Sequence, residues 1–241
     1  MCERCSQGVS SGVAPSRRGL LLGASAMLVS GIARARETKK PPKPQNLVSP
    51  DAALERLEEG NARYVHGVMR RHDFGHEREA LASGQNPYAA ILGCADSRIA
   101  PEYAFDTGRG DLFVCRVAGN FANDESIASL EYAVSVLSTP LILVLGHDAC
   151  GAVDATIKSL KDNTTLPGHL PSLVDGLAPA VKAVSGQGGD VLANAIKQNV
   201  IDTVAKLKSA TPILSAAVEQ SKVRLAGGIY RLRTGKVEMV A

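Results

Sequence analysis

The sequence predicts an α/β domain with a mostly parallel central sheet, flanked by helices and preceded by an N-terminal helical arm. Three observations point there. Residues 88–93, 112–117 and 141–146 are apolar runs of strand length, rich in aliphatic or β-branched side chains, and read as buried strands. Between the second and third, Asp124 to Ser138 sets Ile127, Leu130, Val134 and Leu137 on one helical face, so strand, helix and strand follow in the order of a parallel unit. The 241 residues, 45% hydrophobic and 21% charged, can bury one sizeable core or two small ones.

The N-terminal segment reads as a leader. Arg17 and Arg18 precede an uncharged stretch from Gly19 to Ala33, and Ala33 and Ala35 supply the small side chains a signal peptidase accepts. The stretch is shorter than the roughly 20 apolar residues of a membrane span. Residues 1–35 are therefore expected to be an export signal, cleaved after Ala35, with an uncleaved anchor as the alternative. The paired arginine resembles the twin-arginine signal of proteins exported already folded, which implies a periplasmic or extracellular location and no stable membrane insertion after cleavage. Cleavage removes four arginines and one glutamate from 27 basic and 24 acidic residues, so the mature chain is formally neutral. A balance this even, with no basic block among aromatics, argues against nucleic acid as a partner. Residues 36–49 are rich in proline and lysine and read as a linker, which places the folded domain at 50–241.

The domain opens on a helix, with Ser49 as N-cap, Pro50 in the first turn and Asp51 behind it, followed by the stripe Leu54, Leu57, Asn61, Tyr64, Val65 and Val68. After the third strand a helix runs from Cys150 to about Lys161, and a loop through Pro167 and Pro171 leads to more helices. Leu192, Ile196, Val200, Val204 and Leu207 make one helical stripe, and Thr211-Pro212 opens another helix. Residues 223–232, split by Gly227-Gly228, read as a closing strand, and residues 236–240 as a hairpin or edge strand.

The five cysteines, at positions 2, 5, 94, 115 and 150, are too few and too uneven for a disulfide framework, which turns attention to metal or redox chemistry. Cys2 and Cys5 precede the signal and lack a surrounding fold pattern. Cys115, inside the second strand, reads as a small apolar core residue. Cys94 and Cys150 differ. The first strand closes on Gly93-Cys94-Ala95-Asp96-Ser97-Arg98 and the third on Gly146-His147-Asp148-Ala149-Cys150-Gly151. Functional groups of open parallel sheets collect outside the carboxyl ends of strands, so the two segments can converge.

Two thiolates and an imidazole suit zinc and leave a fourth position for a carboxylate or water. Asp96 is close enough in sequence to reach the metal or to pair with Arg98, whose guanidinium fits a two-point fork. If Arg98 draws Asp96 away, water takes the vacated position, and zinc can lower its pKa to around 7. The rivals are a disulfide between Cys94 and Cys150, or a purely structural zinc site.

The pairing of Cys-x-Asp-x-Arg with a distant His-x-x-Cys resembles the β-class carbonic anhydrases, zinc enzymes that interconvert carbon dioxide and bicarbonate. Gly84-Gln85-Asn86-Pro87, Gly110-Asp111-Leu112-Phe113, Arg116-Val117-Ala118-Gly119-Asn120 and Ser129-Leu130-Glu131-Tyr132-Ala133 are similar to family motifs, in the family's order. The likeness covers about residue 50 to the C-terminus and is most specific from Gln85 to Gly151. It implies that Cys94, His147 and Cys150 ligate Zn2+, with Asp96 as a switching fourth ligand or, released, as the acceptor that orients zinc-bound hydroxide. Arg98 would hold Asp96. Gln85 would donate to the substrate oxygen, Phe113, Ala118 and Tyr132 would line a small apolar pocket, and Gly151 would belong to the same substrate site.

The implied reaction is reversible hydration of carbon dioxide to bicarbonate and a proton. Hydrolysis of carbon disulfide or carbonyl sulfide on the same scaffold is the alternative, and a non-catalytic zinc-stabilised binding module is the third reading. In this family the pocket draws on both subunits, which implies a homodimer or homotetramer with the helical arm packed on a second subunit. Members with an inhibitory bicarbonate site resemble one another in a tryptophan three positions before the first zinc cysteine. Ile91 stands there, and the chain has no tryptophan, which disfavours that regulatory variant. His66, His72, His76 and His169 lie outside the motifs and read as surface residues, any of the first three being placed to carry protons.

Overall fold

The computed structural model describes residues 48–241, so the export signal, Cys2, Cys5 and nearly all of the linker lie outside the described residues. The helices are α1 (Pro50–Val65), α2 (Phe74–Leu81), α3 (Pro101–Ala104), α4 (Asp124–Ser135), α5 (Gly151–Asp162), α6 (Pro171–Val184), α7 (Val191–Lys208) and α8 (Ile213–Glu219). The strands are β1 (Ala89–Gly93), β2 (Leu112–Arg116), β3 (Leu141–His147), β4 (Arg224–Tyr230) and β5 (Val237–Met239). They form one sheet in the order β2-β1-β3-β4-β5, with the first four parallel and β5 antiparallel at the edge. Among the described residues no helix is long and apolar enough to cross a membrane.

The sheet is buried on both faces because its strands are apolar at every position, and successive side chains point to opposite sides. Ala90, Leu92, Ile142 and Val144 pack into one core with α4, α5, α6, α7 and α8. Ala89, Ile91, Leu141, Leu143 and Leu145 pack into the other with Ala53, Leu54 and Leu57 of α1 and with Phe105. The N-terminal helix therefore lies on the sheet of its own chain. Ser49 caps it as expected, accepting from the Ala52 N–H at 3.2 Å. The helix stops at Val65, and Val68, predicted to continue its apolar stripe, is 62% exposed beyond a turn at Gly67.

Three features differ from the sequence expectation. The crossover from β2 through α4 to β3 exists, but β1 lies between the two strands it joins. β1 and β3 are fully buried, whereas β2 is an edge strand whose first four residues are half-buried and whose Arg116 is exposed. Cys115 accordingly sits half-buried on that edge, packed against the core cluster as a small apolar residue. Apolar composition cannot separate an inner strand from an edge strand, because both bury a face and only the neighbours differ.

The third difference concerns β4, which runs unbroken through Gly227-Gly228. These glycines make room rather than a turn. A Cβ at Gly227 would stand 2.7 Å from Val200 Cγ1, and one at Gly146 of β3 would stand 2.7 Å from Val200 Cγ2. Missing side chains on two adjacent strands let α7 settle close to the sheet.

Candidate metal centre

β1 and β3 are neighbours in parallel register, with Gly93 opposite Leu145, so the residues that follow them emerge at one edge of the sheet. Cys94 is the first residue past β1, His147 the last of β3, and Cys150 the N-cap of α5. Ala149, at φ +51°, turns the chain between the last two. The three ligand atoms lie within 4.8 Å of one another, and all three residues are buried.

His147 Nδ1 donates to the Asp148 carbonyl at 2.8 Å, which selects the tautomer and leaves Nε2 as the ligand nitrogen. That Nε2 is buried without a hydrogen-bond partner among the described residues. A buried imidazole nitrogen beside two thiols fits zinc, because the metal satisfies an atom that is otherwise orphaned. Hydrogen bonding from Cys150, helped by the Gly119 N–H, draws the Cys94 thiol down against the opposing effect of burial. The same hydrogen bond, together with burial, pushes the Cys150 thiol up.

Asp96 is held away from these ligands. Arg98 grips it in a fork, Nε to Oδ1 at 2.9 Å and Nη2 to Oδ2 at 2.7 Å, and the Arg98 N–H adds a third bond to Oδ1 at 2.9 Å. These bonds hold the Asp96 carboxyl well below the usual carboxylate range. Asp96 Oδ2 nevertheless stands only 3.8 Å from His147 Nε2. Arg98 also reaches the Ala149 carbonyl at 3.3 Å, tying the loop after β1 to the turn after β3.

The chain matches the carbonic anhydrase family over residues 89–237. Carbonic anhydrase 2 of Mycobacterium tuberculosis (strain CDC 1551 / Oshkosh) is 39% identical over 189 residues, which cover 78% of this chain and 91% of the relative. Carbonic anhydrase of Mycolicibacterium smegmatis is 38% identical over 192 residues, covering 79% of this chain and 93% of that protein. The solved β-carbonic anhydrase CcaA superposes with a TM-score of 0.59 at 29% identity, over 78% of this chain and 98% of that one. The chain belongs to the β-class carbonic anhydrase family. A tetrameric β-carbonic anhydrase of Sordaria macrospora shares the fold, with a TM-score of 0.63 at 22% identity over 79% of this chain and 98% of that one.

Within one chain of this β-class carbonic anhydrase, the residues singled out in the sequence fall into two groups. Cys94, Asp96, Arg98, Ala118, His147, Cys150 and Gly151 gather at the carboxyl ends of the strands, Ala118 through its place beside Gly119, whose N–H donates to Cys94 Sγ at 3.3 Å. Gly151 opens α5 with nothing within 4 Å of the position a Cβ would take. Gln85 is exposed ahead of β1, at the opposite end from Cys94. Phe113, early in β2, and Tyr132 of α4 face each other with ring centroids 6.3 Å apart along the open edge of the sheet.

Two residues to which sequence reasoning assigned no role complete the surroundings of the zinc ligands. Arg116 donates to the carbonyls of Cys94 at 2.9 Å, Asp96 at 2.6 Å and Ile99 at 2.9 Å, bracing the loop that carries the first ligand and its carboxylate. Asn199 of α7 is 3% exposed and donates to the Gly119 carbonyl at 2.8 Å. The only signal for Asn199 in the sequence is an amide beside the apolar stripe of a helix that has to face a core.

Proposed function

We propose that this protein catalyses the reversible hydration of carbon dioxide to bicarbonate and a proton at a zinc ion held by Cys94, His147 and Cys150. The observation that carries the reading is the Arg98 fork on Asp96 beside a three-ligand cluster. A structural zinc site is closed by four strong ligands, whereas here the one nearby carboxylate is withheld from the cluster by an arginine. Zinc bound there supplies Lewis acidity sufficient to make water a nucleophile near neutral pH.

The chain's own groups do the positioning. Asp96, kept ionised by Arg98, accepts a hydrogen bond from the nucleophile and fixes its direction toward carbon. The His147 tautomer, set by the Asp148 carbonyl, keeps Nε2 free of a proton and available as a ligand. Arg98 ties the Cys94 loop to the turn after β3 and Arg116 braces the Cys94 loop itself, so the site needs little rearrangement during turnover.

The substrate pocket forms, in this reading, between two copies of the chain. Gln85, ahead of β1, and Phe113 and Tyr132, along the edge strand β2, lie away from the ligands of their own chain, and a second copy brings its own residues to complete the pocket. The assembly is a homodimer or homotetramer, with carbon dioxide entering beside Ala118 and Gly151. The leader at residues 1–35 directs the folded protein out of the cytoplasm, and the domain at 50–241 acts in the periplasm or beyond.

Stopped-flow hydration of carbon dioxide by protein beginning at Arg36, with zinc counted in the same sample, tests the reading. About one zinc per chain and fast hydration that disappears on metal removal and returns with zinc are expected. Zinc without hydration would overturn it.

A further inference from the structure

One buried polar side chain reaches toward the metal centre from the far side of the core. Asn199 sits in α7 beside Ile196 and Val200, which pack into the apolar layer under the sheet. An asparagine there has low helix propensity and a desolvated amide, so its position requires a partner. That partner is the Gly119 carbonyl, 80 residues away in sequence, at 2.8 Å. The Gly119 N–H in turn donates to Cys94 Sγ at 3.3 Å.

Gly119 is held on every side. Its φ of +85° lies in the left-handed region, and a Cβ would stand 2.7 Å from Leu177 Cδ1 of α6, so no other residue fits. The Asn120 N–H closes the turn onto the Val117 carbonyl at 2.9 Å. The Asn120 N–H and the Gly119 carbonyl are opposite edges of one peptide, and a single bond at the N–H leaves that plane free to tilt. Asn199 holds the other edge, fixing the plane and with it the Cα from which the Gly119 N–H reaches the sulfur. The approach of α7 to the sheet, permitted by Gly146 and Gly227, is what brings the amide within reach.

We propose that Asn199 is a positioning residue for the metal centre: by fixing the Gly119 carbonyl it keeps the Gly119 N–H on Cys94 Sγ, and so sets how much negative charge that thiolate presents to the metal. The inference rests on the zinc reading above. A hydrogen bond to a ligating sulfur withdraws electron density from it, and such outer contacts orient the ligand and tune its hold on the metal. The competing account makes Asn199 a mere filler for an otherwise unsatisfied carbonyl, in which case its loss would weaken folding and leave the sulfur unchanged.

The test compares the wild-type protein with Asn199→Leu, which keeps volume and removes the donor, and with Asn199→Ala. Thr203→Ala, one turn further along the same buried face, serves as a control for simple loss of packing. Each protein is loaded with zinc and challenged with a chelator, and separately loaded with cobalt to read the thiolate-to-metal charge-transfer band. Both Asn199 variants are expected to release zinc about tenfold to a hundredfold faster and to shift the band, while Thr203→Ala leaves the band in place. An unshifted band and a release rate matching Thr203→Ala would overturn the proposal. Wild-type protein that holds no zinc would instead defeat the zinc reading beneath it. Should neither variant fold, Asn199→Ser, a small polar replacement too short to reach the Gly119 carbonyl, is loaded with an NMR-active cadmium isotope beside the wild type. A weakened or lost scalar coupling from the metal to the Gly119 amide proton is expected in the variant, and a coupling equal to that of the wild type overturns the proposal.

Discussion

Arg98 takes both carboxylate oxygens of Asp96, and in doing so holds Oδ2 at 3.8 Å from His147 Nε2, beside the ligand cluster rather than in it. The side chain that could close the fourth position is thus kept as a charged acceptor. Asp96→Asn preserves shape and the three strong ligands while removing the charge. Zinc content is expected to be unchanged and kcat to fall on the order of a hundredfold or more. Full activity across neutral pH in a zinc-replete Asp96→Asn protein would take Asp96 out of the mechanism.

The same fork sets a pH expectation. The hydrogen bonds from Arg98 depress the Asp96 carboxyl below its ordinary value of about 3.9. A depressed group contributes stability that is present above the unfolded-state value and lost as pH falls through the folded one. Asp96 is therefore ionised from about pH 4 upward. Infrared difference spectra against Asp96→Asn should show its carboxylate band unchanged between about pH 5 and 8, and a protonated carboxyl anywhere in that window would contradict the pairing.

Cys94→Ala and His147→Ala each remove one of three ligands whose donor atoms lie within 4.8 Å of one another. Two remaining ligands do not hold zinc against buffer. Metal analysis and hydration rate are expected to fall together to background, and a variant that kept activity without zinc would refute metal-dependent chemistry.

Arg116 satisfies three carbonyls in the Cys94–Ile99 loop. Arg116→Ala leaves the loop without its brace, at about 1 kcal/mol per lost bond. Because Arg116 is itself exposed, water recovers part of that loss, and a destabilisation of about 1–2 kcal/mol in urea unfolding is expected. The hydration rate should fall further than this stability change accounts for, since the loop carries both Cys94 and Asp96. Unchanged kcat would show that the brace serves folding alone.

Val200 packs where Gly146 and Gly227 leave space, with the space for a Cβ at either already taken at 2.7 Å. Gly146→Ala should cost about 1–3 kcal/mol by overpacking. Adding Val200→Ala should recover part of that cost, a coupling that a double-mutant cycle in denaturant would measure. Additive losses would mean the strain is relieved elsewhere.

Much of this was legible in the linear chain. The cap at Ser49-Pro50, the apolar runs that became β1 and β3, and the helical stripe of α7 follow from local preferences and from periods of two and 3.6 residues, both of which operate within a few neighbouring positions. Cys94 and His147-x-x-Cys150 were equally plain, because a donor set at the carboxyl ends of parallel strands has few other uses. Gly227-Gly228 reads as an interruption in the linear chain, since a glycine pair signals a turn until the helix that packs upon it is known.

The strands and the longer helices, the parallel grammar, the Cys-His-Cys cluster and the Asp96-Arg98 pair can be read from the chain alone, all of them carried by short segments with strong local physics, whereas the short helices α2 and α3 cannot. Tertiary structure decided which strand lies at the edge, how closely α7 approaches the sheet, and which distant groups support the ligands. Those outcomes depend on competition for burial and for hydrogen-bond partners among residues far apart in the chain. The Gly119 carbonyl finds Asn199 80 positions away, and no pattern local to either residue encodes that meeting.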